Sequence, residues 1–507
     1  MRGTKYILVF FLFSLWSCED LLEKYPHNQL SEGTFWKTES EIEMGLTACY
    51  NYLYSEYFSA GTMDQGNKVY WDALTDNLYL ATYWNVVDMT TGSLNPSTGG
   101  LATGYYSTCF NLISRVNIFL SKVDLVEINE DDKDQYRAEA RFLRAFAYHE
   151  LVLNYGGVPL FESAASIEDA SKGRSSKESV MEFIHEDLDY TIENLPDENY
   201  TGHAVRNSAR GLKARVCLYS GDWSGAVQYA GEVMSSGKTS LYGDYQSMFL
   251  NEGQGDDNTE ILFSVKFLAP NLYHSMDVKL GRHLHYNVLE DLVNDYRTIN
   301  GLPIGEDPAY DPGALWKNRD PRLQQSVFCE PGEPWVYNLT EGYVPYAEGR
   351  PTAFIGKKYV NTNINAGYDT RSDQDMIHLR YADVLLMYAE AKNELGQFNE
   401  TVWNQTMRLI RERAGFTVAS ALNFPGGTQG GLREIIRHER RIELAFEGYR
   451  YYDLLRWNTV KEEWADIEGE NPQVKTYDES KPLWPIPQTQ IDYYESNGIT
   501  FEQNPGY

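Results

Sequence analysis

The chain is poor in positive charge. Its 507 residues include 44 lysines and arginines against 73 aspartates and glutamates, a formal net charge of −29. A surface this acidic repels phosphate backbones and anionic lipid headgroups, so no nucleic-acid partner is expected. The acidity favours solubility and does not identify a ligand.

Cysteine is also scarce, with five residues in the whole chain and no CxxC pair. The sequence therefore lacks the usual zinc and redox motifs. Cys49, Cys109 and Cys217 fall in helical patterns and are predicted to be small core residues. Neither these three nor Cys329 can be assigned to a disulfide from spacing alone.

Complete catalytic motifs are missing. The triplet 237–239 reads Gly-Lys-Thr, but Glu232 stands where a phosphate-binding loop needs glycine, and the triplet follows a helix. His149, His185 and His438 each precede a glutamate but lack the second histidine of a zinc protease. There is no GxSxG elbow and no dinucleotide fingerprint. We therefore predict no enzyme activity and no cofactor.

Long apolar runs are absent except at the start. Arg2 and Lys5 precede an apolar run, residues 6–16, that is too short to span a bilayer. The run leads to Ser17-Cys18, which is typical of a bacterial lipoprotein cleavage site, although the bulky Trp16 departs from the pattern. We predict that residues 1–17 are a lipoprotein signal peptide and that Cys18 carries palmitate. The alternatives are an ordinary signal peptide or a buried helix.

Helical periodicity dominates the rest of the chain. Apolar residues recur at spacings of three and four, which indicates amphipathic helices. The loop from about 59 to 104 is long enough to suggest a functional role. The predicted helices cover residues 41–58, 105–123, 134–155, 177–194 and 432–457.

Two segments, 213–223 and 388–398, share a pattern. In each, an alanine precedes a glycine by seven residues and an aromatic residue follows the glycine by two. A small residue lets paired helices approach, the glycine turns the chain, and the aromatic residue starts the next helix. This spacing is typical of tetratricopeptide units.

The predicted fold is mainly α. It is a tetratricopeptide-repeat-like helical scaffold, with helical repeats over about 41–58, 105–236 and 376–457. Residues 240–375 lack sustained helical periodicity and are rich in Gly, Pro, Asn and aromatic residues. They are predicted to form an inserted irregular lobe of loops and short strands.

Charged residues line two predicted helices at spacings of three and four. Paired carboxylates could in principle act as an acid and a base. The alternation with arginine favours ion pairs within each helix instead. One group is Glu139, Arg141 and Arg144; the other is Glu443, Glu447, Arg450, Asp453 and Arg456.

Several stretches resemble the SusD/RagB family of outer-membrane nutrient-binding lipoproteins. They span the chain in the expected order, and because they are scaffold motifs they leave the ligand open. They are Cys18, residues 139–145 with 155–160, residues 380–391, and residues 439–450 with 453–454 and 456–457, together with 318–322 and 485–487.

The resemblance implies a single SusD-like domain over 18–507, with the ligand site in the irregular lobe. It implies a lipid-anchored protein of the outer membrane that faces the cell exterior, and Glu19-Asp20 resembles the family's acidic export signal. It also implies a SusC-like TonB-dependent transporter as partner, which would receive the captured oligosaccharide. The alternative is a peptide-binding member that serves oligopeptide uptake.

The resemblance also indicates where the ligand would bind. Aromatic rings cover the flat faces of sugars, at ~1 kcal/mol per ring by analogy with aromatic pairs, and amides bond the hydroxyl rim. In the family such rings come from the long loop and from the irregular lobe. The alternative for Trp84 and Tyr286 is that they pack loops onto helices. His283 and His285 could also form a metal pair, but no further ligand is evident. The predicted ligand-binding residues are Tyr79, Tyr83, Trp84, Asn85, Tyr273, His283, His285 and Tyr286.

Overall fold

The structure is a computed structural model. It describes residues 35–55, 57–59, 69–80, 87–97, 100–281, 286–335, 342–343, 352–363, 371–465, 467 and 475–507.

The described chain is mainly α-helical, as predicted. Short 3-10 turns connect several helices. The helices are α1 Glu39–Tyr50, α2 Tyr70–Ala73, α3 Val87–Thr90, α4 Gly100–Leu120, α5 Glu130–Tyr155, α6 Lys177–Asn194, α7 Arg206–Ser220, α8 Trp223–Ser235, α9 Met276–Gly281, α10 Glu290–Asp295, α11 Arg322–Ser326, α12 Tyr381–Glu394, α13 Glu400–Gln405, α14 Met407–Ala414, α15 Ala419–Leu422, α16 Gln429–Glu443, α17 Arg450–Trp457, α18 Val460–Ala465 and α19 Gln488–Ser496. The strands are β1 Leu78–Leu80, β2 Ile261–Val265, β3 Tyr286–Val288, β4 Val327–Phe328, β5 Phe354–Gly356 and β6 Met376–Arg380.

The long helices pack in a row that follows the chain, from α4 through α5, α6, α7 and α8 to α12 and α16. Local signals set their ends. The Asn129 side chain accepts a hydrogen bond from the amide of Asp131 at the start of α5, and Gly156, at φ +71°, ends it. Helix α6 has the predicted bounds, because Ser176 caps its first turn and Pro196 follows its end.

The first predicted tetratricopeptide pair is confirmed. Gly221 turns the chain at φ +80°, Asp222 caps α8, and Trp223 begins that helix. The second pair differs from the prediction. Gly396 does turn the chain at φ +67°, but α13 starts after Phe398 and lasts only six residues. Helix α12 therefore packs mainly against α8 and next against α16, while its contact with the short α13 is small.

The predicted helix over 432–457 is two helices. Helix α16 ends at Glu443 and α17 begins at Arg450. Between them Phe446 adopts φ +66°, a conformation that non-glycine residues rarely take. The break leaves carbonyl groups without helical partners, and the buried Lys358 ammonium and Arg380 guanidinium donate to the carbonyl of Glu443.

Three other predicted helices also have different bounds. The first stops at Tyr50 and continues as a 3-10 turn, Asn51–Tyr54. The next begins at Gly100 and ends at Leu120 rather than covering 105–123. Both helices keep their predicted buried stripe, for example Leu46 and Cys49 in α1. The helix predicted over 134–155 begins earlier, at Glu130.

The irregular lobe contains two small antiparallel sheets. One has four strands in the order β1-β3-β5-β4, and the other pairs β2 with β6. Strand β1 comes from the long loop near residue 78, so the lobe recruits a segment from far upstream. Strand β6 runs directly into α12, and one large apolar core extends across strands and helices.

The four cysteines that the structure describes are buried, as predicted for three of them. Cys49, Cys109, Cys217 and Cys329 are free thiols, and burial raises the pKa of Cys49 to about 12. In the described residues, no helix has the length and apolar character needed to cross a bilayer.

Candidate functional site

Strands β1 and β3 bring together the two regions predicted to bind the ligand. They pair antiparallel, with Leu80 opposite Tyr286 and Tyr79 opposite Asn287. The end of β1 at Leu80 therefore lies beside the start of β3 at Tyr286. Five of the predicted ligand residues lie in segments 81–86 and 282–285, outside the described residues: Tyr83, Trp84, Asn85, His283 and His285.

The predicted rings within the two strands are buried. Tyr79 is 6% exposed and packs with Leu289 and Ile467, while Tyr286 is 3% exposed with its ring centroid 5.6 Å from that of Tyr70. Neither ring is available to stack on a sugar, because Tyr79 and Tyr286 lie on opposite faces of the β1–β3 pair and both faces are covered. For Tyr286, the alternative interpretation, packing onto the body of the protein, describes its place in the structure.

Tyr273 lies apart from this sheet. It follows the isolated bridge between Leu268 and Leu272, and its ring is half-buried. The Arg371 guanidinium stacks 4.9 Å from the ring centroid. Tyr273 therefore belongs to neither strand of the β1–β3 pair.

A buried aspartate fixes the approach to β1. Asp76 is fully buried and accepts hydrogen bonds from Arg450, with an Nη2–Oδ2 distance of 2.7 Å. The Arg441 guanidinium lies 2.8 Å from the same carboxylate. Burial alone would raise the pKa of Asp76, but Arg441 and Arg450 hold it below its ordinary value. This ion cluster ties the start of β1 to α16 and α17.

A buried lysine holds the same stretch from the other side. The Lys475 ammonium donates to the backbone carbonyls of Ala73, Thr75 and Leu78. Burial lowers the pKa of Lys475 to about 7. Because three carbonyls converge on one cation, the backbone that leads into the predicted ligand loop has a fixed path.

A second ion cluster joins α16 to the lobe and to the helical row. The Glu443 carboxylate accepts from Arg380 at 2.7 Å, from Arg322 at 2.9 Å and from Arg413. Glu447 accepts two hydrogen bonds from Arg380 and one from Lys358, at 2.6–2.8 Å.

The cluster keeps its carboxylates ionised. Burial would raise the pKa of Glu443, but Arg413, Arg380 and Arg322 hold it below its ordinary value. Glu447, also buried, is shifted in the same direction by Arg380 and Lys358. Carboxylates that already bind several cations are poorly placed to exchange protons with a substrate, which supports a structural role.

The ion pairs in the structure differ from those predicted within the helix over 432–457. Glu447 and Arg450 do not pair with each other, because the helix break separates them and each binds distant partners. Asp453 and Arg456 do form the predicted intrahelical pair, at 2.9 Å.

In α5 the predicted pairs are likewise replaced by contacts to other helices. Arg144 binds Asp187 of α6, and Glu139 accepts from Tyr50 and contacts His203. The charged stripe therefore joins helices rather than stabilising one.

A cleft of about 310 Å³ lies between α4, the segment 159–165 and α19. The prediction of ligand residues did not include it. A signal was present, since three small uncharged polar residues follow one face of α4 at positions 107, 111 and 114. Tyr106 and Phe110 lie beside that face and also line the cleft.

Two family models match the chain. The SusD family model covers residues 248–507, about half of the chain. A second model, described as "Starch-binding associating with outer membrane", covers residues 20–218.

Curated relatives match over nearly the full length. A SusD-like protein of Formosa agariphila is 27% identical, and the match covers 95% of each chain. A SusD-like protein of Bacteroides ovatus is 24% identical, with 97% of this chain and 89% of the relative covered.

Solved structures share the architecture. A SusD-like carbohydrate binding protein of Bacteroides fragilis superposes with a TM-score of 0.77 and 26% identity, covering 91% of this chain and 99% of that one. A laminarin binding SusD-like protein gives a TM-score of 0.70 at 22% identity, covering 93% and 100%. At this lower identity the likeness shows the fold alone.

Proposed function

Because the chain belongs to the SusD family, we propose that it is a cell-surface glycan-binding lipoprotein that passes oligosaccharides to a TonB-dependent outer-membrane transporter. The observation that carries the proposal is the pairing of β1 with β3, which joins two sequence regions rich in rings and amides at one edge of a sheet. A ligand held there would be contacted from both regions.

The chemistry of the two segments fits a sugar. Trp84 supplies a large ring face, and Asn85 and His283 supply groups that bond hydroxyls. The buried Asp76 and Lys475 hold the neighbouring backbone in place, and such support lowers the entropy cost of binding.

A ligand panel tests this function. The mature protein would be titrated calorimetrically with neutral and acidic oligosaccharides and, in parallel, with a mixture of oligopeptides. We expect saturable binding of at least one glycan class. Binding of peptides with no glycan binding would contradict the proposal and favour oligopeptide uptake.

Lipid attachment at Cys18 is part of the same proposal. Metabolic labelling with palmitate should mark the wild-type protein and leave Cys18→Ala unlabelled. Cys49→Ala is the matched control, since that thiol is buried in the folded protein. Equal labelling of wild type and Cys18→Ala would end the lipoprotein proposal. Protease treatment of intact cells would test whether the protein faces the exterior.

The transporter is tested by isolation from the native membrane. Affinity purification in mild detergent should recover a TonB-dependent barrel together with this protein. The basis is family membership, which is an associational argument. Recovery without a barrel, under conditions that preserve other outer-membrane complexes, would count against this partner.

A further inference from the structure

We infer that the cleft between α4 and α19 is a second sugar-binding site, one that takes an uncharged unit of one or two rings. The inference rests on the proposed function, because it assumes that glycans are the ligands. None of the residues that line the cleft belongs to the β1–β3 pair, so within the described chain the two sites are built from different residues.

The first argument is that the aromatic walls are fixed before any ligand arrives. The ring centroids of Tyr106 and Phe110 are 4.7 Å apart, and those of Phe110 and Phe161 are 5.9 Å apart. On the opposite wall, Tyr494 stacks on Phe501 at 4.4 Å with only 13° between the ring planes. Tyr106 and Tyr494 are buried, so the half-buried rings of Phe110 and Phe161 are the faces on which a sugar can pack. Rings held by other rings lose little freedom when a sugar face packs on them.

The second argument concerns polar groups without a protein partner. The side-chain amides of Asn111 and Gln490 and the hydroxyl of Ser114 line the cleft, and none of them bonds to another described residue. An amide both donates and accepts, as does each sugar hydroxyl. By contrast, Asn117 at the cleft floor is already engaged by Arg144 and the carbonyl of Phe161.

The third argument is the character of the lining. The chain carries 73 acidic residues, yet every described residue that lines the cleft is uncharged. The Lys172 ammonium lies 5.8 Å from the centroid of the Phe161 ring, and it is paired with Asp169 at 2.9 Å. An anionic or zwitterionic ligand therefore meets no free counter-charge here, whereas a neutral polyhydroxyl ligand meets only matching groups.

Size limits the ligand. Ligand pockets commonly measure about 300–1,000 Å³, and this cleft of about 310 Å³ lies at the lower end. It is open to solvent on one side, because Ser107, Asn111 and Ser114 are exposed. A short stretch of a longer glycan can therefore enter while the rest continues outside.

The test uses the full mature protein and neutral pentasaccharides of β-1,3-glucose, α-1,4-glucose, β-1,4-xylose and β-1,4-mannose. The cleft variant is Asn111→Ala with Gln490→Ala, the sheet-edge variant is Trp84→Ala, and Thr489→Ala is the matched control. Thr489 is exposed on α19 and does not line the cleft. Because both amides lack described partners, the melting temperature of the cleft variant should equal that of the wild type.

We expect two binding events for the active pentasaccharide in calorimetry. The cleft variant should lose about tenfold in affinity for one of them, and Trp84→Ala should weaken the other. Crystals soaked with the sugar should show a sugar ring against Phe110 and Phe161 in the cleft. Thr489→Ala should behave as the wild type.

Other results separate the two proposals. If the wild type binds a sugar with an empty cleft and the cleft variant binds it unchanged, the second site is refuted and the proposed function stands. If only acidic sugars or peptides enter the cleft, the inference of an uncharged ligand is wrong. If no pentasaccharide binds the wild type, both proposals fail for these glycans.

Discussion

Polar side chains are placed in opposite ways at two sites. One is the junction, the ion cluster of Glu443 with Arg322, Arg380 and Arg413, and the other is the cleft beside α4. At the junction, charged groups are fully buried and each carboxylate meets several cations. In the cleft, the polar groups are uncharged, and the side chains of Asn111, Ser114 and Gln490 have no hydrogen bond to another described residue. The difference shows that in this acidic protein charge joins the parts of the fold, while neutral amides and rings remain available for a ligand.

The largest expected effect comes from breaking the junction. Glu443→Gln removes the charge that three buried arginines share, so the free energy of unfolding should fall by about 3–5 kcal/mol, the usual cost of breaking a buried ion pair. Urea denaturation of the variant would measure it. Glu462→Gln, an exposed position in α18, is the control and should change little. A Glu443→Gln protein as stable as the wild type would show that the junction is not a stabilising centre.

Acid should weaken the junction without a mutation. Burial would raise the pKa of Glu439, but Arg411 and Arg322 lower it to about 2. A carboxyl whose pKa is depressed on folding adds stability above its unfolded pKa, which is about 4.3, and that stability is lost as the pH falls toward 2. A single such group contributes about 3 kcal/mol. Urea unfolding at pH 7, 5, 4 and 3 should show a decline that starts below pH 5; a flat profile to pH 3 would be inconsistent with the network.

A smaller loss of stability is expected for Glu447→Gln. The variant keeps the side-chain shape but loses charge-assisted hydrogen bonds from Arg380 and Lys358, which should cost about 1.5–3 kcal/mol. Glycan affinity of the folded protein should not change, because Glu447 is buried and lines neither candidate site. Glu434→Gln, exposed on the same α16, is the control. A stable Glu447→Gln protein that no longer binds would show that the residue belongs to a binding site.

The smallest effect should appear at the sheet edge. Trp84→Ala should weaken binding of the glycan about tenfold, equivalent to about 1.4 kcal/mol, while the melting temperature stays the same. Trp84→Phe retains an aromatic face and should preserve most of the affinity. Calorimetry and thermal denaturation measure the two quantities. A large drop in melting temperature with unchanged affinity would mean that Trp84 packs the loop onto the body.

The helical part of the fold could be predicted from sequence because its signals are local. Helix α6 and the turn at Gly221 follow from periodicity and capping within a few residues. The break between α16 and α17 could not be predicted, because it depends on Lys358 and Arg380, which are distant in sequence. The same limit applies to β1, a three-residue strand that exists only by pairing with β3 more than two hundred residues later.

The two candidate sites also combine features that the sequence predicted with features that only the fold shows. The family resemblance together with residue type predicted ligand binding near Trp84 and His283, and the pairing of Leu80 with Tyr286 was not predicted. Ligand-binding rings were also predicted at Tyr79 and Tyr286, yet both are buried, because other parts of the fold cover both faces of the β1–β3 pair. The polar residues at positions 107, 111 and 114 of α4 can be read from the sequence. That they line a cleft depends on the fold, which places Phe161 and Tyr494 across from them.

The sequence by itself determined the helical periodicity, the helix caps, the excess of acidic residues and the family motifs. Each of these depends on a few neighbouring residues or on amino-acid composition. Tertiary structure decided which charges share a cluster, which rings are buried and where a cleft forms. The physical reason is that burial and ion pairing depend on the distance between atoms rather than on separation along the chain. Arg450 shows the difference: helical spacing paired it with Glu447, and the fold placed it against Asp76.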